Sequence, residues 1–153
     1  MTYEELQLQN EKIPVKEMDL SEVVGLKGLY YNGNIAIEKN LTSTEKACVL
    51  AEELGHHYTS VGDILDQQDV SNRKQELRAR TWAFDECIGL IGIVNAFKVG
   101  CQSLYEMAEY LDVTEEFLKD ALESYRRKYG ICKEIDNYIV FFEPHLSVMR
   151  KYT

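Results

Sequence analysis

The sequence has few of the features that mark membrane, secreted or disordered proteins. Only two of its 153 residues are proline, and it contains no low-complexity tract and no internal repeat. It has no apolar run of about eighteen residues, the length that a membrane-spanning helix needs. Its first residues, Met1-Thr-Tyr-Glu-Glu, are neither basic nor apolar, unlike those of a secretory signal. These absences predict a cytoplasmic protein that does not bind membranes.

Cysteine and positive charge are also scarce. The four cysteines lie far apart and form no C-x-x-C pair, which is typical of reduced thiols packed in a core. Lys and Arg number 17 against 26 Asp and Glu, for a formal net charge of -9. A chain this acidic repels phosphate polyanions, so we expect no direct binding to nucleic acid. The same charge favours association with a basic protein partner.

The rest of the composition is that of an ordinary folded domain. The 45% apolar and 28% charged residues argue against disorder. The length of 153 residues predicts a single domain over 1–153, with no separate DNA-binding module.

Local patterns predict an α+β fold in which helices dominate and the sheet is small. Asn32-Gly33 lies between two short runs of β-forming residues. It predicts a hairpin near 28–38, because both turn residues can adopt positive φ. A segment rich in Tyr, Ile, Val and Phe predicts a C-terminal strand near 135–142, ended by Pro144.

Capping residues predict where the main helices begin. Thr42 with Glu45 forms a capping box, and Thr114 is a good N-cap residue. The expected helices cover about 42–58, 72–87 and 114–130, and a polar loop over 66–71 separates the first two.

The stretch Glu52-Glu53-Leu-Gly-His56 contains the residues best suited to chemistry. On a helix with 100° per residue, His56 lies about 40° from Glu52, and the leucines lie on the opposite side. Residues at i and i+4 can share one metal ion, and Glu53 lies beside this pair, where a general base is needed. The pattern differs by one residue from the zincin motif H-E-x-x-H, in which two His bind zinc and the Glu polarises water. Taken alone, the same residues are more typical of a solvated helix than of a metal site.

A further glutamate, Glu76, follows twenty residues after His56. Ala79 and Ala83 share its helix face, and such small residues let a neighbouring helix approach closely. Glu76 can then reach the front of the preceding helix, as the third ligand of a gluzincin does. The metzincin alternative needs a His six residues after His56, where this sequence has Gly62.

Two stretches together resemble the ImmA/IrrE metallopeptidases of prophages and mobile elements. They are Ala47-Cys-Val-Leu-Ala-Glu-Glu-Leu-Gly-His-His-Tyr-Thr-Ser and Gln75-Glu-Leu-Arg-Ala-Arg-Thr-Trp-Ala. In that zincin-like family the pattern is H-E-L-G-H, followed by E-x-x-A on the next helix. The hairpin before the first helix and the tail around Phe141-Phe-Glu-Pro fit as well, so the resemblance covers about 24–152.

The resemblance implies a cytoplasmic, zinc-dependent endopeptidase that acts on a repressor of the helix-turn-helix type. Such a protein is an antirepressor, because cleavage of the repressor releases phage or element genes. Carried onto this sequence, the resemblance makes Glu53 the general base and makes Glu52, His56 and Glu76 the metal ligands.

The chain departs from the family at Glu52, where the family has His. Carboxylate oxygen also binds zinc, but two anionic ligands neutralise more of the cation's charge and leave a bound water less acidic. Oxygen-rich sites accept manganese and other hard ions more readily. Three interpretations stay open: a slow zinc peptidase, an enzyme with another divalent ion, and a metal-free relative that inactivates a regulator by binding alone.

Two other histidines belong to the candidate residues. His57 is at i+4 from Glu53 but turns about 140° toward the apolar side, which favours a packed or hydrogen-bonding role over metal binding. His145 follows Pro144 near the C-terminus, and a surface loop is the simplest expectation for it. A role of either histidine in orienting substrate or stabilising an oxyanion stays open.

Residues 103–130 support a further alternative, a DNA-binding regulator. Leu111-Asp-Val-Thr and the amphipathic helix after it are similar to a helix-turn-helix. The helix in the recognition position begins Thr114-Glu-Glu, and acidic residues at that end oppose contact with bases and phosphates. Its basic residues come only at the C-terminal end, where they suit the helix dipole. A packed helix pair is therefore the favoured interpretation.

Overall fold

The computed structural model describes residues 1–60 and 69–151, and within these ranges the chain forms six helices and six strands. The predicted α+β fold with dominant helices is confirmed. The chain divides into two compact units, Met1–Glu86 and Cys87–Thr153, called the first and second unit below. No described helix combines the length and apolar character that crossing a bilayer requires. The single domain over 1–153 stays a prediction.

The first unit contains three helices and a three-stranded sheet. Its elements are α1 (Tyr3–Gln9), β1 (Val15–Met18), β2 (Gly28–Tyr31), β3 (Asn34–Glu38), α2 (Ser43–Thr59) and α3 (Asp69–Cys87), the last residue of which belongs to the second unit. In the sheet, β3 lies between the other two strands, parallel to β1 and antiparallel to β2.

The hairpin of β2 and β3 has the turn that its sequence predicts. Asn32 and Gly33 have φ angles of 49° and 78°, as a mirror-image turn matched to the strand twist requires. Because side chains alternate along a strand, Ile35 and Ile37 are buried on the side that packs against α2, whereas Tyr31 is exposed.

The helix α2 begins at the predicted capping box. The Thr42 side chain accepts a hydrogen bond from the Glu45 backbone N–H, and the Glu45 carboxylate accepts one from the Thr42 N–H at 3.0 Å. The helix ends at Thr59, one residue beyond the expected end. Its predicted apolar side is fully buried, at Ala47, Leu50, Ala51 and Leu54.

A buried carboxylate at the end of β3 links the segment before β2 to the segment after β3. Glu38 is only 8% exposed, and its two oxygens accept hydrogen bonds from the backbone N–H groups of Leu20 at 2.7 Å and Asn40 at 2.8 Å. These bonds compensate for the lost hydration of the charge. They also position the turn that leads into α2.

The helix α3 starts earlier than expected. Residues 69–71 are helical, although the sequence predicted a loop over 66–71, and the rest of that loop lies outside the described residues. The helix ends at Cys87 as predicted. Ala79 and Ala83 are fully buried, so the face of small residues is packed.

The second unit contains three helices and an antiparallel sheet of its own. Its elements are α4 (Gly89–Lys98), α5 (Leu104–Leu111), α6 (Glu115–Tyr129), β4 (Cys132–Ile135), β5 (Tyr138–Phe141) and β6 (Ser147–Arg150). Ser103 and Thr114 cap α5 and α6 by accepting hydrogen bonds from backbone N–H groups of the first turns. Gly130 ends α6 with φ 79°, as predicted.

The β-rich C-terminal segment differs in extent from the strand expected near 135–142. The chain reverses at Asp136-Asn137, so Ile135 pairs with Tyr138 across a hairpin. Asp136 has φ 52°, a left-handed conformation that a short polar side chain tolerates. One predicted strand is therefore the hairpin of β4 and β5, and β6 adds a third strand.

All four cysteines are free thiols. Cys48 and Cys87 are buried, which confirms the predicted core packing for these two, whereas Cys101 is partly exposed and Cys132 is exposed.

Candidate metal centre

The candidate residues of the first unit lie beside a close backbone contact between α2 and α3. Gly55 faces the backbone of Ala79, and a Cβ atom at position 55 would overlap the Ala79 carbonyl group. The absence of a side chain at Gly55 therefore lets the two backbones meet. This approach brings the candidate residues of α2 next to Glu76 on α3.

His56 and Glu76 meet across the two helices, as predicted. The distance from His56 Nε2 to Glu76 Oε1 is 3.3 Å, and the His56 side chain is 23% exposed against 65% for Glu76. An imidazole nitrogen and a carboxylate oxygen thus converge at a site that is open to solvent on the α3 side.

Glu52 lies one helical turn before His56 on α2, and its carboxylate contacts an arginine. Glu52 Oε1 is 3.9 Å from Arg80 Nε, and the Arg80 guanidinium also lies over the ring of Phe84 at 5.6 Å. The positive charge of the guanidinium therefore lies beside Glu52, the residue at the first-ligand position. A cation bound by Glu52 would compete with this contact.

Glu53 is a half-buried carboxyl group of this site with a raised pKa. Burial is the main cause, and the charges of Glu52 and Glu76 add repulsion, so the pKa of the Glu53 carboxyl rises to about 7. Its protonated and ionised forms are therefore both well populated near neutral pH. A carboxyl with this pKa can both accept and return a proton there.

The strand β2 forms the other wall of the site. Its alternate residues Gly28 and Tyr30 face α2. A Cβ atom at Gly28 would lie 2.5 Å from Val49 Cγ1 and 3.3 Å from Glu53 Oε1, so the bare strand backbone is what leaves room for the Glu53 carboxylate.

Tyr30 holds His57. The Tyr30 hydroxyl is 2.9 Å from His57 Nδ1, and the imidazole lies edge-on to Tyr30 and Tyr58 with ring centres 5.5 and 5.0 Å apart. Tyr58 in turn stacks on Trp82. This geometry agrees with the hydrogen-bonding role expected for His57, and its role toward substrate stays a prediction.

The described residues fit a divalent ion by their chemistry but are not arranged as a closed metal site. No three His, Cys, Asp or Glu side chains in residues 1–60 and 69–151 are grouped so that they could hold a metal. One imidazole and two carboxylates are nevertheless a donor set that zinc accepts. His56 and Glu76 already meet, and Glu52 shares the helix face of His56 while its carboxylate contacts Arg80.

The structure places His145 in the second unit. It is exposed and lines a cavity together with Phe142 and Leu146. A contribution of His145 to the chemistry at Glu53 stays a prediction.

Comparison with known families defines the class of the protein. A family model of metallopeptidase-like proteins, described as Peptidase_M78, IrrE N-terminal-like domain, matches residues 5–123. The match covers more than half of the chain and includes all four candidate residues of α2 and α3. The chain belongs to this family, and the predicted resemblance to ImmA/IrrE proteins is confirmed. No curated protein and no solved structure gives a significant match.

Proposed function

We propose that the chain is a metal-dependent endopeptidase whose active site lies between β2, α2 and α3. The observation that carries the proposal is the contact of His56 Nε2 with Glu76 Oε1 at 3.3 Å beside the half-buried Glu53. Membership of a metallopeptidase-like family supports it independently. In this proposal Glu52, His56 and Glu76 hold the ion, which when bound supplies a Lewis acid that polarises water and the scissile carbonyl.

Glu53 acts as the general base in this proposal. Its carboxylate accepts the proton of the attacking water, and the resulting carboxylic acid returns a proton to the leaving amine. Burial favours this cycle, because it brings the pKa of Glu53 to about 7 in the metal-free chain, near the value that suits a base at neutral pH.

Zinc is the ion that the family resemblance implies, and manganese is the main alternative. Two of the three proposed ligands are carboxylates, which hard ions bind more readily than they bind imidazole. Binding of a metal ion would replace the contact between Glu52 and Arg80. The affinity for metal should therefore be lower than that of a site with two His ligands.

The proposed substrate is a repressor of the helix-turn-helix type, which makes the chain an antirepressor. This step rests on the ImmA/IrrE resemblance. The net charge of -9 is consistent with it, because DNA-binding repressors are often basic and opposite charges speed encounter.

Elemental analysis and a cleavage assay test the proposal. Protein purified without added metal should contain zinc or manganese, and it should cleave a repressor encoded by the neighbouring gene. Glu53→Gln should retain the metal and lower the cleavage rate by about 100-fold or more, because the base is lost. Glu22→Gln, a matched change at an exposed loop residue, should leave the rate unchanged. Cleavage by the metal-stripped protein at the original rate would rule the proposal out.

A second candidate function is inactivation of a regulator by binding alone. It is favoured by the contact between Arg80 and Glu52, which supplies a positive charge at the first-ligand position without a metal. This function predicts a stable complex with an intact repressor, and the same complex with Glu53→Gln. Cleavage fragments that depend on Glu53 would exclude it.

A further inference from the structure

The second unit contains a cavity that the proposed peptidase function does not use. It has a volume of about 440 Å³, and every residue that lines it lies within Cys87–Thr153. It is bounded by the start of α5, one face of α6 and the chain between β5 and β6. Cavities of roughly 300–1,000 Å³ with mostly apolar walls are typical of small-molecule sites.

One face of α6 forms a wall of the cavity with one apolar and three charged residues. Lys119, Leu122, Glu123 and Arg126 line the cavity and follow one another at i, i+3, i+4 and i+7, which places them on one side of the helix. Opposite residues are largely apolar and include Met107, which is 7% exposed. A ligand here meets hydrocarbon over most of its surface and charge at its edge.

The charge at the edge is positive, in contrast to the whole chain. Glu123 accepts a hydrogen bond from Arg126 at 3.0 Å and lies 3.3 Å from Arg127 Nε, and Arg126 also lies 3.5 Å from Glu143. Lys119 makes no hydrogen bond or ion pair with the described part of the chain. Among the residues that line the cavity, Lys119 and Arg126 are cations and Glu123 is an anion, which gives the lining a charge of +1. Since Arg126 pairs with Glu123, Lys119 is the cation in excess.

We propose that this cavity binds a small amphipathic anion, an aliphatic carboxylate of medium chain length. Its hydrocarbon chain packs between Leu122 and Met107, and its carboxylate pairs with Lys119. The apolar wall selects the hydrocarbon, because burial removes it from water. The unpaired ammonium group selects the negative head group over a neutral or positive one.

Methyl NMR of the full-length chain tests this site. The chain has four methionines, of which Met107 lines the cavity and Met1, Met18 and Met149 do not. With methyl-labelled methionine, octanoate should shift the Met107 signal in a saturable manner and leave the other three in place. Octanol and octylamine have the same chain length, and they should bind about two- to fivefold more weakly because they lack the ion pair.

Substitutions on α6 identify the partner of the carboxylate. Lys119→Gln should lower the affinity for octanoate to that for octanol. Lys128→Gln, on the same helix but outside the cavity, should leave the affinity for octanoate unchanged. Leu122→Trp should fill the cavity and abolish the binding of both octanoate and octanol. If that variant fails to fold, the result with Lys119→Gln decides whether the proposal stands. Equal affinity for octanoate and octylamine, or an equal shift of Met107 and Met149, would overturn the proposal.

Discussion

Glu53 lies where burial and two neighbouring carboxylates act in the same direction. All three raise its pKa, from the ordinary 4.5 to about 7. The folded chain therefore binds this proton more tightly than the unfolded chain does. Below about pH 4.5, Glu53 is protonated in both the folded and the unfolded chain. As the pH rises from about 4.5 through about 7, the unfolded chain ionises more readily, so the free energy of unfolding falls.

We therefore predict that Glu53→Gln stabilises the metal-stripped protein at high pH only. At about pH 8 the free energy of unfolding should rise by about 1–3 kcal/mol, and the gain should disappear near pH 4, where Glu53 is already neutral. Urea unfolding of parent and variant across this range measures the difference. The exposed Glu22→Gln serves as the control, and a gain that does not vary with pH would contradict the assigned cause.

The sequence identifies the candidate residues of α2 because their spacing on one helix is local. It did not predict the contact of Arg80 with Glu52 or that of Tyr30 with His57. Each of these pairs joins different elements, and their meeting depends on packing between those elements rather than on spacing within one. The local pattern of β2 indicates only that Tyr30 lies on the same side of the strand as Gly28, two positions earlier.

At the scale of elements, Gly55 determines how closely α2 and α3 approach. A methyl group at this position would overlap the backbone of Ala79, which cannot move aside as the end of a side chain can. The helix pair would have to separate, and the contact between His56 and Glu76 would lengthen.

We predict that Gly55→Ala destabilises the protein by about 3 kcal/mol despite the better helix propensity of Ala. Gly92→Ala on α4 is the matched control. Its Cβ atom would lie 3.2 Å from Leu111 Cδ2, the end of a flexible side chain, so the change in the free energy of unfolding should stay within about 1 kcal/mol. Urea unfolding compares the two, and equal effects would show that the backbone contact does not limit the packing.

Element boundaries were predictable where the signal lies within a few residues. The capping residues Thr42, Ser103 and Thr114 each accept a hydrogen bond from their own helix. The pattern does not predict the turn at Asp136-Asn137, because the β-forming residues after it continue the run that begins at Ile135. The cavity of the second unit could not be predicted, since its walls come from segments far apart in sequence.

At the scale of the whole molecule, acidic charge opposes the helix-turn-helix interpretation of 103–130. The connection from α5 to α6 passes through Asp112 in a left-handed conformation, and Glu115 and Glu116 occupy the exposed first turn of α6. A helix that presents two carboxylates at this end repels the phosphates that position a recognition helix.

We predict no binding to duplex DNA even at about 20 mM salt, where electrostatic attraction is strongest. Fluorescence polarisation with a labelled operator or random duplex measures this. A double variant, Glu115→Lys with Glu116→Lys, should gain weak binding without sequence preference if the two carboxylates are the barrier. Micromolar, sequence-dependent binding by the parent protein would contradict the prediction.

Gly28 shows how a residue without a side chain controls the space around a neighbouring carboxylate. A methyl group there would occupy the space 3.3 Å from Glu53 Oε1, although the residue lies on a strand and carries no functional group. A relative with alanine at this position would keep every donor atom of the candidate centre, but its methyl group would press on the side chains of Val49 and Glu53. In a redesign, one carbon atom on β2 would therefore change the surroundings of the proposed base and leave the proposed metal ligands unaltered.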